Sequence, residues 1–195
     1  MTRRLIATAA LLFAFSSVRA EQATPIAAPV MDIAPWGVEG SDAADAPTGL
    51  YVSLSRQIAV EASFAPAIDL LPYLRLIEAM SESDFSGFFL MSENTDITGV
   101  GHPLIKVADL DVQVVALPGL RMRRLRDLRG HRVGVILGTR HLAAFDQDPA
   151  IRKYEFAGVE SQMLAFASGR LDAVLGVRQA LEFGAWLAGK PLDHP

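Results

Sequence analysis

Apolar residues along the chain fall into short runs whose spacing switches between strand and helix. Residues 30–34 (VMDIA) form a short strand pattern, broken by Pro35-Trp36-Gly37. Residues 38–48 are small, acidic and turn-forming, and read as a surface loop. Leu54, Ile58 and Ala62 repeat at helical spacing within residues 50–63. Residues 67–71 read as a strand, and Pro72 then opens a helix carrying Leu74, Ile77 and Met80. Residues 85–91 (FSGFFLM) are almost wholly apolar, as in a strand covered on both faces. After a polar loop at 92–103, the run 109–117 centres on the β-rich Val112-Gln113-Val114-Val115. Strands then fall at 132–137, 151–156 and 171–177, separated by helices at 140–145 and 158–168 and followed by one at 178–188. Strands alternating with helices predict an α/β protein with mainly parallel sheets. The segment at 109–119 reads as a strand passing from a first lobe into a second.

The first twenty residues stand apart from this alternation. Arg3 and Arg4 precede a mostly apolar run, Leu5 to Val18, and Ala20 offers a small residue for cleavage. This is the three-part pattern of a secretory signal peptide, and the run is shorter than the ~20 residues a membrane helix needs. Removing residues 1–20 leaves 195 − 20 = 175 residues. It also removes three of the 18 basic residues, so the side-chain charge becomes 15 − 22 = −7. An acidic chain is poorly suited to holding phosphate backbones, so nucleic acid is not an expected partner. With 51% hydrophobic and 21% charged residues the composition is that of a globular protein. The absence of cysteine removes disulfides, thiolate metal sites and cysteine nucleophiles. The expected organisation is a signal peptide at 1–20, a loose leader at 21–29, lobe 1 at 30–110, lobe 2 at 111–190 and a tail at 191–195.

No catalytic signature stands out: there is no G-x-S-x-G elbow, no H-E-x-x-H and no P-loop. The four histidines, at 102, 131, 141 and 194, lack metal-ligand spacing and read as surface or structural residues. The most informative local feature is Val133-Gly134-Val135-Ile136-Leu137-Gly138-Thr139-Arg140. There a strand ends at a Gly-Thr turn and a helix is predicted to start, so free amides, the Thr139 hydroxyl and the Arg140 guanidinium could receive an anion. In open α/β sheets, ligands bind beyond the carboxyl ends of the strands. That rule gathers Trp36, Tyr73, Arg75, Glu93, Gly138, Thr139, Arg140, Gly176 and Arg178 as candidate ligand contacts, with no catalytic or metal residue among them. Five arginines between 121 and 129 read as a solvated face.

The segment from Arg124 to Val135 followed by Gly138-Thr139 resembles the L-x-D-L-x-G-x-x-V-G-V-x-x-G-T block of extracytoplasmic solute-binding proteins of family 3. Gly169-Arg170-Leu171-Asp172-Ala173-Val174 is similar to the family's G-R-x-D-A-V segment. Gly49 to Leu54 resembles its G-x-x-x-D-L helix entry with Ser53 in place of Asp, and Pro72-Tyr73-Leu74-Arg75 its P-x-x-R element. The resemblance spans about residues 30–192. It implies a two-lobed fold of the type 2 periplasmic-binding class, each lobe a mainly parallel sheet flanked by helices, with the first lobe incomplete. It implies hinge closure on a small-molecule solute, an ABC permease as partner, a periplasmic location and no cofactor. Two departures matter. Thr95 and Thr98 lead to Gly99-Val100-Gly101 with no Arg, and Gly176-Val177-Arg178 stands where an acid often binds an ammonium group. These favour a polar, anionic or aromatic solute over a standard α-amino acid. A solute sensor without a transporter, and a dehydratase-like enzyme using Glu93, are the alternatives.

Overall fold

The computed structural model describes residues 23–40, 42, 45–92 and 101–192. The expected signal peptide at 1–20 and Glu93 lie outside them. The first lobe is built on one interrupted parallel ladder. Strand β1 (Thr24–Ala27) pairs with β3 (Phe64–Ala67), and β2 (Val30–Met31) with β4 (Leu70–Leu71). Both pairs share one offset, since 64 − 24 and 70 − 30 both equal 40. Bonds from Ala28 N to Ala67 O (2.8 Å) and Val30 N to Asp69 O (2.9 Å) carry the ladder across the interruption. The expected loose leader thus contains a paired strand. Residues 85–91 form no full strand. Among the described residues they link to the ladder by a bridge from Gly87 to Ala27, and an added Cβ at Gly87 would come within 2.2 Å of the Ala27 carbonyl oxygen. Backbone there approaches too closely for any side chain.

Helix α1 (Leu50–Glu61) buries Val52, Ser55 and Ala59, and α2 (Tyr73–Met80) buries Leu76 and Met80. The start of α1 has no side-chain cap. Instead its orphan amides donate to the preceding turn, Leu50 N to Pro35 O and Tyr51 N to Trp36 O, both at 2.9 Å.

The second lobe is a four-stranded sheet in the order β5-β8-β6-β7, from β5 (Val112–Ala116), β6 (Arg132–Ile136), β7 (Arg152–Phe156) and β8 (Ala173–Val177). β5 is antiparallel to β8 and the other neighbours are parallel. Helices α4 (Val159–Ala167) and α5 (Arg178–Leu187) cover one face around Met163, Phe166, Leu171 and Leu181. A second apolar cluster, around Leu128, Val133, Phe145 and Ile151, includes partly buried Val114 and Ala116 of β5. Helix α3 (Ala143–Asp146) is a single turn that begins later than the pattern predicts.

β6 and β8 register only at Val133–Ala173 and Gly134–Val174. Beyond that pair the fully buried Gln162 amide nitrogen bridges them, donating to Gly134 O (2.9 Å) and less closely to Leu175 O (3.4 Å). The strands are thereby joined where their own ladder stops. Gln162→Leu removes these two donations to carbonyls of buried residues. A loss of roughly 1–3 kcal/mol is expected, read from denaturant midpoints at an unchanged slope.

The turn entering β6 is tied to the turn entering β8. The Asp172 carboxylate accepts the Arg132 backbone N–H (2.7 Å) and two guanidinium bonds (2.7 and 3.2 Å). The Arg132 guanidinium bonds come first in holding the Asp172 carboxyl down at about 2, with the backbone N–H next. A depressed folded pKa gives stability that is complete above the unfolded value of about 3.9 and is lost as pH falls through about 2. Asp172→Asn is therefore expected to lower the thermal midpoint at neutral pH, with the difference from the parent closing between about pH 4 and 2.

Candidate functional site

The carboxyl ends of four strands, two from each lobe, meet in one apolar cluster. Met31 ends β2, Leu71 ends β4, Ile136 ends β6 and Val177 ends β8, and all four belong to it. Leu76 and Met80 of α2 join from the first lobe, and Val159 and Ala180 from the second. The two lobes thus touch where an open α/β sheet binds its ligands.

Gly138 lies at the contact. Its φ of +79° is a left-handed conformation that suits glycine, and a Cβ there would lie 2.6 Å from Leu74 Cδ2 and 3.3 Å from Tyr73 Cδ1. The turn after β6 therefore rests on the first turn of α2. Half-buried Thr139 follows. Its hydroxyl donates to Ile136 O at 2.7 Å and lies 3.2 Å from His141 Nε2. Thr139 does not cap a helix, because α3 starts four residues later and is too short to present an anion site. Arg140 is exposed.

The remaining candidates separate. Trp36 is buried at 5% exposure, its ring 4.9 Å from that of Tyr51, and it forms part of the core. Burial pushes the Tyr51 hydroxyl up. Arg75 is exposed and pairs with Glu78 at 2.8 Å. Gly176 is buried within β8, its missing side chain leaving room for Leu181. Arg178 opens α5 and binds Asp111 twice: its backbone N–H donates to the Asp111 carbonyl (2.9 Å) and its guanidinium to the carboxylate (2.7 Å). It ties the end of β8 to the chain entering the second lobe. Among the described residues, no group of three or more His, Asp and Glu side chains could hold a metal ion, and no helix is long and apolar enough to cross a membrane.

His141 is the residue that sequence reasoning set aside. It is 7% exposed, edge-on to Phe145 with ring centres 6.2 Å apart, and its backbone N–H donates to Asp146 Oδ2 at 3.0 Å. Burial pushes its imidazole below the ordinary value, with the Asp146 carboxylate opposing. A His whose folded pKa is lowered resists protonation, so stability falls as pH drops below the unfolded value of about 6.5. The thermal midpoint is expected to fall between pH 7 and 5, and His141→Gln to flatten that slope. The available signal was the spacing Thr139-x-His141 with Phe145 one helical turn on.

No protein-family profile matches the chain, and no curated protein sequence matches it. Solved structures do. A holo arginine-binding protein from T. maritima is 18% identical with a TM-score of 0.62, over 86% of this chain and 75% of that one. An ancestral arginine-binding protein bound to glutamine is 17% identical with a TM-score of 0.67, over 83% and 73%. A Salmonella typhimurium periplasmic binding protein of high arginine specificity is 19% identical with a TM-score of 0.61, over 85% and 74%. An ancestral amino-acid-binding protein, a precursor of cyclohexadienyl dehydratase, is also similar, at 19% identity and a TM-score of 0.63. At these identities the likeness is one of architecture. The chain has the two-lobed α/β fold of the family 3 periplasmic solute-binding proteins.

Proposed function

We propose that the chain binds a small polar solute between its lobes in the periplasm and delivers it to an ABC permease. The observation that supports this reading most is the meeting of four strand ends, where the turn at Gly138-Thr139 rests on Tyr73 and Leu74. The solved proteins of this fold include arginine-binding and amino-acid-binding proteins, which favours solute binding over catalysis. On this reading Tyr73, Gly138 and Thr139 are the expected contacts, and the exposed Arg140 would face an anionic group. Arg178 is the weaker candidate, because Asp111 already holds its guanidinium. Trp36 would act through the packing of the first lobe. A panel of amino acids, amines and organic acids tests the reading by thermal shift, since a ligand that binds only the folded chain raises the midpoint. A rise with one class of solute is expected, and no shift across the panel ends the proposal.

The dehydratase-precursor neighbour keeps an enzymatic reading in view. Its acid–base group would be Glu93. Turnover of a prephenate-like acid that disappears in Glu93→Gln would establish it in place of simple binding.

A further inference from the structure

We propose that the second lobe docks on an anionic phospholipid surface, through the end of its sheet that lies opposite the inter-lobe contact.

Strands β6, β7 and β8 run in parallel, and the carboxyl ends of β6 and β8 belong to the cluster between the lobes. Their entries therefore share the other end. β5 is antiparallel to β8 and delivers the chain after it to that same end, where Leu117 N donates to Asp172 O at 3.0 Å. Residues 117–132, 148–152 and 169–172 gather there and carry eight arginines against three aspartates, 8 − 3 = +5. The chain from residue 21 carries 15 − 22 = −7 overall, so the remainder stands at −7 − 5 = −12. Such polarity turns this one end toward an anionic surface.

Packing holds the arginines outward. Met122, Leu125 and Leu128 of the connecting segment pack in the apolar cluster with Val133 and Phe145. Between them Arg121, Arg123, Arg124 and Arg126 are exposed. Among the described residues none of these four makes an ion pair, whereas Arg129 pairs with Asp148 and Arg132 with Asp172. Asp127 lies in their midst, and one of its carboxylate oxygens accepts the backbone N–H groups of Arg123 and Arg124, both at 3.0 Å. Arg152 at the entry to β7 and Arg170 before β8 are exposed at the same end. Unpaired guanidiniums suit phosphate, which they meet with two parallel hydrogen bonds.

A lipid surface fits better than an acidic protein because the same segment offers an apolar side chain. Residues 117–120 form a tight turn, with Leu120 N donating to Leu117 O (3.1 Å) and Gly119 at φ +91°. That turn presents Leu120 at 36% exposure, immediately before Arg121. Electrostatic attraction and buried apolar area are the two contributions that hold a protein at a bilayer surface.

The test uses the chain from residue 21 and co-sedimentation with vesicles of phosphatidylcholine, alone or mixed with phosphatidylglycerol. Sedimentation with the mixed vesicles is expected at low salt, with release at ~1 M salt, where the Debye length shrinks to about 3 Å. Pure phosphatidylcholine should not bind. An arginine near an anionic surface strengthens binding about fivefold, so Arg121→Gln, Arg123→Gln and Arg126→Gln together should weaken it about a hundredfold. Their thermal midpoint should match the parent's, and Arg→Lys at the same three positions should keep most of the binding. Failure of the parent to sediment with mixed vesicles would overturn the proposal. So would equal binding to both kinds of vesicle, or binding that neither salt nor the triple Gln variant weakens. Retention on poly-L-glutamate without sedimentation would assign the arginines to an acidic protein partner and overturn it as well.

Discussion

Gly49→Ala is expected to lose about 3 kcal/mol or more of folding stability. Gly49 has φ +124° and ψ 169°, a region that is essentially glycine's own. Its added Cβ would sit 2.4 Å from the Trp36 carbonyl oxygen. That oxygen accepts the Tyr51 amide and so caps α1. The methyl group would force apart the turn that holds Trp36 and the helix that depends on it. For a chain of this size the thermal midpoint should drop by roughly 6–12 °C. Weakened packing around Trp36 should appear as a red shift in its fluorescence, which Trp186→Phe isolates from the exposed second tryptophan. An unchanged midpoint would mean that the backbone around Gly49 relaxes at little cost.

Leu76→Ala is the second. Leu76 is fully buried on α2, in the cluster that joins the ends of β2 and β4 to those of β6 and β8. Truncating a buried leucine typically costs about 2–5 kcal/mol, through lost transfer energy and a residual cavity. Here the cavity opens between the lobes, so solute affinity should fall along with stability. Val133→Ala, in the separate cluster of the second lobe, provides the contrast. It should lower the midpoint with little effect on affinity. If the two variants lost affinity equally at matched stability, the contact between the lobes would have no special part in binding.

How far the sequence revealed this architecture depended on where each element gets its stability. In the second lobe β6, β8, α4 and α5 carry their own apolar patterns, and reading them locally was enough. The strand Thr24–Ala27 has no such pattern and owes its form to pairing with Phe64–Ala67, forty residues on. Residues 85–91 show the reverse case: almost wholly apolar, they pack against the cluster between the lobes with Phe85, Phe89 and Met91 and have little ladder to join. At the site, Gly138-Thr139 was legible because a glycine after a buried strand marks a turn. His141 was not, because a lone histidine has no periodic signature and gains its meaning from a neighbour's hydroxyl. The engagement of Arg178 with Asp111 was hidden for the same reason, since the pair is 67 residues apart.

The central claim, a solute held between the lobes, is tested most directly by amide hydrogen exchange with and without the solute that gives the largest thermal shift. Protection should rise together on both sides of the contact, at residues 72–76 in the first lobe and 136–141 in the second. Protection confined to one lobe, or spread evenly over the chain, would contradict it.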